Sequence, residues 1–61
     1  MQKTINRGGY EITIRKTPHN GMFELSTMAY SMGDEYRVHK MYDVFDDDVV
    51  ENFINYVEST K

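Results

Sequence analysis

Five carboxylates fall within the stretch 43–51: Asp43, Asp46, Asp47, Asp48 and Glu51. Hard cations such as Ca²⁺ and Mg²⁺ take several carboxylate oxygens, so this is the first place to look for a metal. The spacing argues against one, because a calcium-binding loop carries a central glycine and a terminal acid that are missing here. The start of a helix accounts for the same residues without a ligand. Asp46 is suited to cap it, and Asp47 and Asp48 to lie in its first turn, where the helix dipole favours negative charge.

The other chemistry-bearing types are sparse. His19 and His39 are the two imidazoles, and a catalytic zinc needs at least three protein ligands. Cysteine is absent, which removes disulfides, thiolate metal sites and a Cys nucleophile. Ser26, Ser31 and Ser59 have no Gly-x-Ser-x-Gly elbow around them, and a hydroxyl without a positioned base is not a nucleophile. Gly8-Gly9 joins two strand-like segments and opens no helix, so it is not a phosphate loop. These observations predict a protein that is not an enzyme and takes no cofactor and no metal.

What must position the remaining residues is one small domain, 1–61, since 61 residues leave no room for a second. A domain of this size buries only about 60% of its unfolded surface, and this chain is 39% hydrophobic. Association with a second copy is a natural remedy, so a homodimer is among the expectations. No apolar run approaches the roughly 20 residues of a membrane span, and the N-terminus lacks a signal-peptide pattern, which predicts a soluble, cytoplasmic protein. The net charge of −3 is unevenly laid out. In 1–20, Lys3, Arg7, Arg15 and Lys16 face the single Glu11, for +3, whereas 43–61 sets six acids against Lys61, for −5. An acidic total argues against an obligate nucleic-acid binder.

Three dipeptides punctuate the chain: Gly8-Gly9, Asn20-Gly21 and Gly33-Asp34. Each suits a two-residue hairpin loop, which needs positive φ. Taken together they predict a four-stranded antiparallel meander. Ile5 then faces Ile12, Ile12 faces Ala29, Ile14 faces Thr27, Lys16 faces Leu25 and Pro18 faces Phe23. Around the third turn, Ala29 faces Val38, Leu25 faces Tyr42 and Phe23 faces Val44. Because strand side chains alternate, one face collects Ile5, Tyr10, Ile12, Ile14, Phe23, Leu25, Ala29, Tyr36, Val38, Tyr42 and Val44, with Lys16, Thr27 and Lys40 as its polar members.

The tail has helical periodicity. Val49, Val50, Phe53, Ile54, Tyr56 and Val57 project within an arc of about 160° at about 100° per residue, with Asp46 as N-cap and Phe45 and Val50 at the staple positions. The fold class that follows is α+β, a four-stranded antiparallel β-meander with one C-terminal α-helix packed on its apolar face.

One helix covers one face, so the other stays open. It carries Met28, Tyr30, Arg37, His39 and Met41, with Tyr30 expected opposite Arg37, Met28 opposite His39 and Ser26 opposite Met41, beside Glu11, Arg15 and Glu24. Tyr, Met and Arg are enriched at protein interfaces. The expected function is therefore a small protein-interaction module, an adaptor or inhibitor of a larger protein of the kind phages often encode, with a protein partner or a second copy on this face. The acids Asp47, Asp48, Glu51 and Glu58 form a secondary surface. The rival reading is a sheet that stacks single-stranded nucleic acid on Tyr30 and meets phosphates with Arg15 and Arg37. It is opposed by Glu11 and Glu24 on the same face and by the lack of a second aromatic there.

Overall fold

Glycine sets the first chain reversal. Gly8 and Gly9 have φ of 62° and 82°, the left-handed backbone a two-residue hairpin requires, so Arg7 of β1 (Gln2–Arg7) stands opposite Tyr10 of β2 (Tyr10–Lys16) and Ile5 opposite Ile12. β3 (Phe23–Ser31), β4 (Asp34–Tyr42) and the helix α1 (Asp47–Ser59) follow. The four strands make one antiparallel sheet in the order β1-β2-β3-β4. This computed structural model describes residues 2–60.

The other two turns differ from the sequence expectation, each by a two-residue shift of register. Between β2 and β3, Ile14 stands opposite Leu25 and Lys16 opposite Phe23, in place of Thr27 and Leu25. Asn20-Gly21 is not a two-residue loop. The Thr17 amide donates to the Met22 carbonyl (2.8 Å), and the Asn20 side-chain oxygen accepts from the Met22 amide (3.0 Å) and from the Thr17 hydroxyl. Pro18 has no N–H to give to a ladder, and Asn20 serves better as an acceptor that closes a four-residue loop. Between β3 and β4 the turn residues are Met32 and Gly33, with φ of 53° and 86°. Ser31 therefore faces Asp34, Ala29 faces Tyr36, Thr27 faces Val38 and Phe23 faces Tyr42. Ala29 opposite Val38 and Phe23 opposite Val44 are not formed.

A two-residue shift leaves each side chain on its expected face. Ile12, Ile14, Leu25, Ala29 and Val38 of the sheet are buried together with Val49, Val50, Phe53 and Val57 of α1, and Ile5, Tyr10, Phe23, Tyr36, Tyr42, Phe45 and Ile54 pack around them. Thr27, also buried, donates its hydroxyl to the Glu11 carbonyl (2.8 Å). Lys16 and Lys40 lie with their ammonium groups over Phe23 and Tyr56, 5.6 and 4.7 Å from the ring centres, so their stems cover apolar surface while the charges stay wet.

Two residues expected in the apolar set are not in it. Val44 is 53% exposed, because β4 ends at Tyr42 and the chain bends so that Phe45 turns inward, 5.9 Å from the Phe23 ring. Tyr56 is 38% exposed, at the margin of the helix stripe that Phe53 and Val57 centre.

The helix starts as its sequence dictates: the Asp46 carboxylate accepts from the Val49 amide (2.9 Å) with Asp47 and Asp48 in the first turn. At its far end the Thr60 hydroxyl donates to the Val57 carbonyl (2.7 Å). The Tyr42 hydroxyl donates to Asn52 (3.1 Å), Lys40 reaches Tyr56, and Tyr36 bonds Thr60 (3.0 Å). The helix thus runs back along β4 in the opposite direction. No helix of the described chain is long and apolar enough to cross a membrane.

Candidate interaction face

The face of the sheet away from α1 is read in rows across the strands. Gln2, Arg15, Glu24 and Met41 form one row, and Thr4, Thr13, Ser26 and His39 the next. Further along come Met28 opposite Arg37 and Tyr30 opposite Glu35. The register shift has re-sorted the expected contacts. Arg37 faces Met28 and not Tyr30, His39 faces Ser26 and not Met28, and Met41 faces Glu24 and not Ser26.

Met28 and Met41 are consequently two rows apart, with the Ser26–His39 row between them, and do not share a patch. That middle is polar. Arg15 pairs with Glu24 (3.2 Å) and Arg37 donates to the buried Ser26 hydroxyl (3.4 Å), around an open depression of about 200 Å³. Met41 is half-buried, and His39 is exposed, as is His19 in the β2–β3 loop.

The apolar part of this face lies at the other end. Met28 is 37%, Tyr30 65% and Met32 100% exposed. Met28 and Tyr30 alternate along β3 and so point the same way, and Met32 follows them in the turn. Met32 is the residue sequence reasoning passed over. Across the ladder, Glu35 hydrogen-bonds the Tyr30 hydroxyl and holds its pKa above the ordinary phenol value, with the carboxylate's charge acting in the same direction.

The acidic surface is divided. Arg7 reaches over from the first hairpin to Asp47 (3.7 Å) and Glu51 (3.6 Å), and Glu58 lies further along that same helix stripe. Asp48 sits apart from them, beside Tyr42, Val44 and Asn52. Pairs as exposed as those of Arg7 contribute about 0–1 kcal/mol, so they orient the hairpin without neutralising the helix. Among the described residues no three His, Asp or Glu side chains converge as metal ligands. No protein-family model, no curated protein and no solved structure matches the chain.

Proposed function

We propose that this chain is a small non-enzymatic protein-binding module, an adaptor or inhibitor of a larger protein, that docks through Met28, Tyr30 and Met32 with Arg37 at their side. The observation that supports it is Met32. Its side chain is 100% exposed and its backbone is left-handed, a conformation that costs a non-glycine residue about 1–2 kcal/mol. Asn or Gly would fill that turn position at less cost. A strained residue holding a thioether wholly in water contributes nothing to the fold, whereas flexible, polarizable Met suits irregular partner surfaces.

The same face offers little to a single strand of nucleic acid. Arg15 is matched by Glu24 and the Tyr30 hydroxyl by Glu35, so carboxylates accompany the groups that would meet bases and phosphates. The test is capture of soluble proteins by the parent chain and by the double variant Met28→Ser, Tyr30→Ser, followed by direct titration of the purified partner. The variant should keep its melting temperature and lose the partner. Unchanged binding would refute the assignment, and affinity for single-stranded DNA or RNA that falls steeply with salt would replace it.

A further inference from the structure

β4 is an edge strand of nine residues. In a hairpin closed by a two-residue turn, the flanking residues are hydrogen-bonded to each other and every second pair after them likewise. Ser31 and Asp34 flank the Met32-Gly33 turn, so Asp34, Tyr36, Val38, Lys40 and Tyr42 spend their backbone groups on β3. Those of Glu35, Arg37, His39 and Met41 point out along the edge. Beside them runs an open groove of about 310 Å³, lined by Tyr36, Arg37, Val38 and His39 of β4 and by Tyr56 and Thr60 of the helix. Extended segments dock on sheet edges by pairing with such outward backbone groups.

We infer that the strand filling this groove is β4 of a second copy, paired antiparallel about a two-fold axis at Arg37. The order of charged and polar groups along β4 supports this. β4 begins with Asp34 and Glu35 and has His39 and Lys40 near its end, placed symmetrically about Arg37. Antiparallel self-pairing centred there sets Asp34 against the second copy's Lys40, Glu35 against its His39, and Tyr36 against its Val38, each contact occurring twice. Asp34 against Lys40 sets opposite charges across the strands, which stabilises where like charges would repel, and Glu35 against His39 sets a hydrogen-bond acceptor beside an imidazole that can donate. The other edge fails this test, since the charges of β1 are Lys3 and Arg7, both positive.

The one like-charge contact, Arg37 against its copy, falls on the axis. There each guanidinium already leans back toward Ser26 of its own sheet, with a Glu35 from either copy adjacent. On the inner side the pairing brings together Tyr36 and Val38 of both copies next to Tyr56, the helix residue whose ring the monomer leaves 38% exposed. The product is a continuous eight-stranded sheet presenting two Met28, Tyr30 and Met32 stripes. Its formation does not depend on what those stripes bind.

Sedimentation equilibrium tests this through a charge exchange. Asp34→Lys alone opposes Lys to Lys40, and Lys40→Asp alone opposes Asp to Asp34, so each should raise the dimer dissociation constant by about tenfold or more. An equimolar mixture of the two variants restores both unlike oppositions and should dimerise as the parent does. His39→Pro removes an edge-facing N–H that β3 does not use, which an edge strand tolerates; it should give a folded monomer by circular dichroism. A parent chain monomeric at millimolar concentration overturns the inference. So does a dimer that both single variants and His39→Pro leave intact, or a mixture that dimerises no better than its components. Met28→Ser with Tyr30→Ser should leave the dimer unchanged, which separates this result from the partner assay.

Discussion

Gly8 lies against Ile54: a Cβ built on the glycine would stand 3.3 Å from the Ile54 Cδ1 atom. The first hairpin turn is thereby fitted to the helix that closes the fold, and its backbone is left-handed as well. Gly8→Ala should cost about 1–2 kcal/mol for the backbone alone and more for the displaced Ile54. Gly9 has comparable φ and nothing near it, so Gly9→Ala should show the backbone cost only. Urea denaturation of the two variants measures the difference, and equal losses would mean that the turn does not touch the helix.

Phe53 is fully buried where the helix meets the sheet, while Tyr56, three residues on, is 38% exposed. Phe53→Ala should lose about 3–5 kcal/mol through lost transfer energy and a cavity, enough to unfold much of a domain this small. Tyr56→Ala should cost far less. Thermal melts that rank the two the other way would place the helix face incorrectly.

Met32→Asn replaces a strained turn with Asn-Gly, the preferred pair for such a hairpin. Stability should rise by part of the roughly 1–2 kcal/mol that a left-handed backbone costs an ordinary residue, and affinity for the captured partner should fall. A variant that gains stability and binds unchanged would remove Met32 from the interface while leaving the turn geometry intact.

Burial raises the pKa of the Tyr42 hydroxyl above the phenol's ordinary 10.0, and the neighbouring Tyr56 phenolate adds to it. A folded state that holds a proton more tightly than the unfolded chain is favoured below the ordinary pKa, and it loses that advantage as pH climbs through the raised value. Stability of the parent relative to Tyr42→Phe should therefore decline above pH 10.0. Urea melts on either side of that pH, with tyrosinate absorbance as the titration readout, check the sign; a parent that gains on Tyr42→Phe in alkali would reverse it.

The sequence by itself determined which face each strand residue occupies, where the helix begins and what it buries. Period-two alternation from Ile12 to Val38 and the Asp46 cap followed by Val49, Val50, Phe53 and Val57 are local signals, and burial enforces them because a one-residue slip would put Glu11, Arg15 and Glu24 into the core. Tertiary structure alone decided who stands opposite whom. A two-residue slip preserves both faces, so hydrophobicity cannot tell Ile14 opposite Thr27 from Ile14 opposite Leu25. The choice fell to the Thr17–Asn20–Met22 hydrogen bonds and to Met32 accepting positive φ. That choice separated Met28 from Met41, put Met32 in the turn next to β3 and turned the backbone groups of Glu35, Arg37, His39 and Met41 outward along the β4 edge. It did so because loop closure is settled by a few polar contacts that burial pattern does not see.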